Sequence, residues 1–515
     1  MLLSGTLFAQ TKKEANALFA NKNYVEALDM YLKLLQDDPD NYEYNFKTGV
    51  CYLNTSVVKS KAIPYLTKAS SYTNQDPIAY YLLGKAYQYS YQFDAAIRAF
   101  EKFISLSSNV EDNVRYAKKK IEYCYNAKEF MKFPLDVHFE NLGENINSAY
   151  PDFFPFVSSN ESFIIFNSKR DDGSNKLSDG TFSSNIYFSE VENGAFQKAK
   201  KLGNVGSDSL NEQVIGLSAD GNKILIAIES EGKKEIFLAD FTNHEVQEIK
   251  KLALDLSKVV NNDITASINA AGNVLYLALE MEEGIGGSDI YESRLLPTGQ
   301  WSKLRNLGNV INTPWDEQFP NITLDEKVLY FSSEGHTGLG GMDIYQAKWD
   351  FKLRNWADVK NFGYPLNTPE DDMNFRMSSS GKFGYLSVNR EDGYGDLDVY
   401  RVTFGDAEPR FSIITGKLYS VNTTQLKDDI FISVVDLSRN RVYGEYLPNP
   451  RTGRYVMALP PGKYKLLVEV EGFHRIDQPI EVLDKSSYKS LIHQDMVLKP
   501  LGILMPLPEL TSEEN

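Results

Sequence analysis

Two repeat periods run through this chain, and each restricts the architectures it can adopt. Small residues at Ala27, Ala62 and Ala96 recur at intervals of 35 and 34 residues, inside a stretch (about residues 11–131) whose apolar positions follow helical spacing. A helix pair of that length cannot bury its own apolar face, so successive pairs must stack. The third unit is the most regular, with Tyr80, Leu83-Gly84, Tyr87, Phe93, Ala96 and Phe100. Gly84 and Ala96 let two helices approach closely, and Tyr87 and Phe100 fill the space beside them. The first unit keeps Ala15, Tyr24, Ala27, Tyr31 and Pro39; the second keeps Gly49, Tyr52 and Ala62 but carries Pro64 early in its second helix. A further helix near 112–131, with Tyr116, Ile121 and Cys124, is expected to cap the last apolar face.

From about 138 to 403 the pattern changes to short alternating strands separated by Gly, Asn, Asp and Ser turns. An Ile-Tyr-like pair recurs at Ile186-Tyr187, Ile236-Phe237, Ile290-Tyr291, Ile344-Tyr345 and Val399-Tyr400, spaced by 50, 54, 54 and 55 residues. An apolar strand precedes each pair, for example Ile164-Ile165-Phe166 and Leu329-Tyr330-Phe331. A Leu-Gly-x-x-Ile-Asn-like opening begins several units, at Leu142-Gly143, Leu202-Gly203, Leu307-Gly308 and Phe362-Gly363. Repeated four-stranded units bury their faces by radial packing, which predicts a five-bladed β-propeller, with six as the alternative count.

The third segment, about 411–500, alternates apolar and polar residues. Tyr464, Leu466, Val468 and Val470 mark a strand with one buried face, and Pro460-Pro461-Gly462 is a tight turn joining it to the strand before. About seven short strands in 90 residues predict a small β-sandwich. The tail, 501–515, is expected to be loose. At the other end, Met1-Leu-Leu-Ser-Gly-Thr-Leu-Phe-Ala9-Gln10 reads as the remnant of a secretory signal peptide over residues 1–10. The chain is thus expected to be multidomain, in line with its 515 residues at roughly 100–200 per domain.

Composition narrows the function classes. A net charge of −16 is unsuited to a phosphate backbone, so no nucleic-acid partner is expected. No apolar run reaches the length of a transmembrane helix. Two cysteines exclude a disulfide framework, and Cys51 and Cys124 are expected to be buried free thiols, since stacked repeats would hold them too far apart to bridge. The five histidines show no metal-ligand spacing, and there is no Gly-x-Ser-x-Gly elbow. No cofactor, no metal and no enzymatic activity are expected.

Three features remain as candidate sites. Asp289, Asp343 and Asp398 precede the Ile-Tyr-like pairs, with Asn185 and Glu235 in the equivalent places. They form either a cation-binding ring or, since they recur with the repeat, turn anchors that each fix one unit. Asp392-Gly-Tyr-Gly-Asp396-Leu-Asp398 has some character of a Ca²⁺ loop but lacks the terminal bidentate Glu. In the helical array, alignment on Gly84 places Tyr81, Lys85 and Gln88 on a concave groove, and alignment on Ala15 adds Lys12 and Asn16. This groove either binds an acidic or carboxylate-bearing peptide or faces solvent or the chain's own sheets. The run Lys118-Lys119-Lys120 reads as an exposed face of the capping helix.

The segment at 80–100 resembles a tetratricopeptide repeat. Gly340 to Tyr345 (Gly-Gly-Met-Asp-Ile-Tyr), echoed at Gly286 to Tyr291, resembles the TolB-type propeller repeat. Thr452-Gly-Arg-Tyr followed by Leu459-Pro-Pro-Gly-Lys-Tyr464 resembles the carboxypeptidase regulatory-like domain, a transthyretin/Ig-like β-sandwich. In this order the modules resemble PorE-type envelope proteins of the type IX secretion system, without the OmpA-like domain that grips peptidoglycan in that family. The resemblance implies a periplasmic, non-enzymatic scaffold or adaptor associated with the outer membrane. Its partners would be envelope or outer-membrane proteins, with peptidoglycan in proximity and a role in secretion or gliding. The alternative is a periplasmic sensor or carbohydrate-binding module that uses the propeller face.

Overall fold

The computed structural model describes residues 2–501 except 56–57, 73–75, 108–110, 159–160, 204, 206–210, 219, 231–232, 243, 262, 379–380, 406–411, 421–429, 450–451 and 484–490. The tail expected at 501–515 lies outside the described residues beyond Leu501. The chain divides into two compact units, Met1–Ala407 and Glu408–Asn515. The first unit is an N-terminal α-helical region followed by several small antiparallel β-sheets.

Among the described residues, seven α-helices make up the helical region: α1 (Leu2–Ala20), α2 (Tyr24–Asp37), α3 (Tyr42–Thr55), α4 (Ile63–Ser70), α5 (Ile78–Tyr89), α6 (Phe93–Leu106) and α7 (Glu111–Phe130). Helix α1 runs unbroken across the boundary expected near residue 10. The Asn23 side chain caps α2 by accepting from the Glu26 amide (3.3 Å), which satisfies one of the free N–H groups of the first turn. Pro64 shapes the irregular second pair: a 3₁₀ turn, Lys59–Ala62, precedes a short α4 with the proline in its first turn, where no N–H is needed. Ala15, Ala27, Ala62 and Ala96 are fully buried where helices cross. A Cβ on Gly84 would stand 2.6 Å from the Phe100 ring, so the glycine makes room for that aromatic. Helix α7 buries Ala117, Ile121, Cys124 and Ala127.

Five sheets follow. Four are built in sequence order within 152–201, 211–251, 265–306 and 317–361. The fifth joins Arg376–Met377, Phe383–Val388 and Asp398–Phe404 to Val137–Asn141, the first strand after the helices. All five Ile-Tyr-like pairs fall on the third strand of their sheet, and the apolar strands before them are the second strands.

Three passages between sheets share a recurring segment, Asn-(Leu/Phe)-Gly-x-x-(Ile/Leu)-Asn-(Ser/Thr), at 141–148, 306–313 and 361–368. Its second Asn is buried and grips one residue of the third strand by both backbone groups. Asn312 accepts from the Ile290 amide (2.8 Å) and donates to its carbonyl (3.0 Å). Asn147 does the same to Val399 and Asn367 to Ile344. The first Asn accepts from the second (Asn306 from Asn312, 2.8 Å) and from the glycine amide two residues on. An acid four residues after the Ser/Thr completes the joint: Asp152, Glu317 and Asp372 accept from Ser148, Thr313 and Thr368. The double glycine packs on this joint, and a Cβ at Gly340 would collide with the carbonyl oxygens of Thr368 and Glu370.

In the second unit, one sheet pairs Ser412–Ser420 with Arg454–Leu459 in antiparallel fashion and with Leu491–His493 and Met496–Leu498 in parallel. The other contains Ile432–Asp436, Arg441–Tyr446, Gly462–Val468 and Ile476–Val482. The turn at 460–461 therefore carries the chain between sheets. Tyr464, Leu466 and Val468 point into a core shared with Ile414, Leu418 and Met457, whereas Val470 lies past the strand end.

Removing the side chain in Asn312→Ala leaves the Ile290 amide unpaired in the interior and its carbonyl with the Leu307 amide alone. The expected loss in urea unfolding is about 1–3 kcal/mol, as for other buried polar groups stripped of a partner. Gly340→Ala is expected to destabilise the first unit as well, since backbone rather than a movable side chain occupies the space.

Candidate functional site

The helical region meets the sheets through side chains of α7 and loops at 313–316, 334–342 and 364–372. Arg115 donates to the Pro314 carbonyl (2.8 Å) and lies 4.3 Å from the Trp315 ring centroid. Tyr116 meets the same indole edge-on at 5.0 Å. Lys119 donates to the Gly335 carbonyl (3.1 Å), Asn126 to that of Gly338 (2.9 Å), and the Tyr123 hydroxyl to that of Glu334. These donors recur every three to four residues, so one face of α7 lies on the loops. Lys59 adds an ion pair to Glu370 (3.3 Å).

This arrangement corrects the reading of Lys118-Lys119-Lys120. Lys118 is exposed, but Lys119 is directed at a loop carbonyl and Lys120 is only 8% exposed, over the Tyr123 ring. The run straddles the helix, so its members cannot share one face.

The five predicted groove residues fall into two sets. Tyr81 packs on Phe100 and Phe103, and burial, with the Glu334 and Asp371 charges nearby, pushes its hydroxyl up to about 12. Lys85 lies 5.3 Å from the Tyr89 ring centroid, and burial draws its ammonium below the ordinary lysine range, with Lys120 acting in the same sense and Asp371 against it. Gln88 is fully buried, and its amide has no hydrogen-bond partner among the described residues. Lys12 and Asn16 instead engage α2 and α3. Lys12 pairs with Glu43 (3.1 Å), and Asn16 accepts from the Tyr31 hydroxyl (2.6 Å) and from Lys47 (2.8 Å). Tyr81 and Lys85 are near the sheet-loop carboxylates Glu334 and Asp371, whereas Lys12 and Asn16 have their partners within α2 and α3.

The recurring carboxylates are turn anchors. Asp289 accepts from the Ile285 amide (2.6 Å) and from Asn306 (2.9 Å); Asp343 accepts from the Leu339 amide (2.5 Å); Asp398 accepts from the Tyr394 amide and Asn141. Asn185 donates to Asp172, which accepts from Tyr187 in its place, and Glu235 pairs with Lys251 at the surface. In the 392–398 loop, Asp392 accepts from Tyr400 and Asp396 from Asn389, so its three carboxylates have separate partners. Among the described residues no three His, Cys, Asp or Glu side chains gather as a metal-ligand set. Cys51 and Cys124 are buried free thiols, and burial pushes Cys51 up to about 12. Sequence reasoning missed the paired Asn clamp, although its second Asn was visible in the repeating opening.

Burial pushes Asp343 and Glu317 up to about 8 and pulls His336 down to about 4. A raised carboxyl keeps a proton that the unfolded chain has released, so its contribution is full below about pH 4 and is lost as pH rises through about 8. His336 acts oppositely: its contribution is present above about pH 6.5 and is lost as pH falls through about 4. Between about pH 6.5 and 8 the carboxyls govern the slope. The urea midpoint of the first unit is expected to fall across this window, and Asp343→Asn is expected to flatten the fall.

No helix among the described residues is long and apolar enough to cross a membrane. No family model and no curated protein matches the chain. Solved structures similar to it include TolB from Acinetobacter baumannii, at 14% identity and TM-score 0.32 over 49% of this chain and 55% of that one. MamA is 26% identical at TM-score 0.22 over 24% of this chain and 65% of its own. The Sgt2 tetratricopeptide domain from Aspergillus fumigatus is 26% identical at TM-score 0.21, over 24% of this chain and 83% of that one. The chain thus spans less than two thirds of the TolB and MamA chains.

Proposed function

We propose that this protein is a non-enzymatic adaptor of the bacterial periplasm, of the PorE type, that holds envelope or outer-membrane proteins of a secretion or gliding machine. In this reading the helices are a tetratricopeptide array, and the five sheets are blades of a propeller closed by Val137–Asn141 pairing with Asp398–Phe404. The second unit is a carboxypeptidase regulatory-like sandwich. The observation that carries the proposal is an apolar tip on the hairpin joining the last two strands of the fourth sheet. Phe351 and Leu353 are 67% and 69% exposed. Just behind them Trp349 meets the buried Trp356 edge-on at 5.4 Å, which fixes the hairpin. A stiff hairpin that presents two large apolar side chains can dock with little ordering cost.

Photo-crosslinking in intact cells tests this. A benzophenone amino acid at position 351 or 353 is expected to trap the same discrete envelope partner, and one at Lys33 on α2 is expected not to. Recovery of an uncrosslinked soluble monomer from both hairpin positions would refute the adaptor assignment.

A further inference from the structure

The first strands of the first, second, fourth and fifth sheets end around one cavity of about 630 Å³. Below it, Phe154 and Phe319 meet at 4.7 Å; both take left-handed φ (53°) at irregularities in their strands, and Phe156 and Asn321, two residues on, line the cavity. The walls are mainly apolar: Phe156, Leu217, Ile322, Tyr330 and Met377.

One cation lies in this apolar setting. Arg376 lines the cavity, is 5% exposed, and has its guanidinium 4.3 Å from the Phe156 ring centroid. Its Nε and Nη1 are buried with no hydrogen-bond partner among the described residues. Burial alone accounts for its depressed basicity, at about 9, so it stays protonated at neutral pH. Two residues before it, Asn374 is fully buried and its Oδ1 has no hydrogen-bond partner among the described residues. The one acid that lines the cavity among the described residues, Asp325, is 56% exposed and already accepts from Thr323 (2.8 Å) and pairs with Lys327 (3.4 Å). A buried charge without a counter-ion is costly, and a bound anion relieves that cost.

We propose that this cavity binds a monocarboxylate with an apolar body, with Arg376 as its counter-ion. One guanidinium, with no second lining cation among the described residues, matches a single negative charge rather than a phosphate dianion. The volume suits a small ligand, and the aromatic and aliphatic walls suit an apolar body. Two sources share this chemistry: a free organic acid, and the C-terminal carboxylate of a chain ending in an apolar residue.

Titration calorimetry on the full chain tests the site with phenylacetate, with N-acetyl-Ala-Phe, and with the amide of each. At least one carboxylate is expected to bind at one per chain, with its amide about 10- to 100-fold weaker, as for a lost charged hydrogen bond. Binding of phenylacetate alone assigns the site to free acids; binding of the peptide, with or without phenylacetate, includes chain termini. Arg376→Met replaces an unpaired buried charge by an apolar chain, so it is expected to melt no lower than the parent and to lose the binding heat. Leu324→Glu, at an exposed lining position, keeps the test available should the first variant fail to fold, and is expected to weaken binding by repulsion. The proposal is overturned if neither carboxylate binds, if phosphate binds as tightly, or if affinity is unchanged in folded Arg376→Met or in Leu324→Glu.

Discussion

The first unit depends on a short joint between sheets, in which one buried Asn holds both backbone groups of a residue in the third strand. Past the last ladder pair, as at Tyr291 with Asn306, the third strand still turns polar groups to the interior, and the joint pairs them in place of a neighbouring strand. Asn147, Asn312 and Asn367 meet that need at equivalent positions, and the acids that follow tie down the next turn. Each joint thereby sets where the next sheet begins. The double glycine belongs to the same device, because the loop between the second and third strands lies directly on the backbone of the joint.

The helices use what the joints build. The segments at 313–316 and 364–372 and the loop at 334–342 are stiffened by their own hydrogen bonds, and α7 places its donors on their carbonyl groups. Tyr81 and Lys85 of α5 come under the influence of Glu334 and Asp371. These two residues of α5 therefore lie beside this chain's own loops. The hairpin tip at Phe351 and Leu353 stands exposed, and Arg376 lines a cavity between sheets.

Much of the fold was legible because periodicity is a direct record of packing. The 34-residue spacing marked helix crossings at Ala27, Ala62 and Ala96, and the 54-residue spacing marked third strands through their Ile-Tyr pairs. The role of Asp289, Asp343 and Asp398 as turn anchors was also among the readings, since a residue that recurs with the repeat serves the repeat. What stayed hidden depends on contacts between distant segments. The rotation of α7 that turns Lys119 and Lys120 inward is set by loops about 215 residues away. Arg376 has no counterpart at equivalent places, so no period announces it, and its isolation emerges only when four sheets surround it.

Helices and sheets of the first unit form one compact body, held by α7 on the loops. Electron–electron distance measurement between spin labels at Lys33 and Lys352 addresses it directly, and the two native thiols are buried and will not take label. A single narrow distance that persists at high salt is the predicted result. A broad or salt-dependent distribution would mean that the helices move freely over the sheets, and would contradict the account.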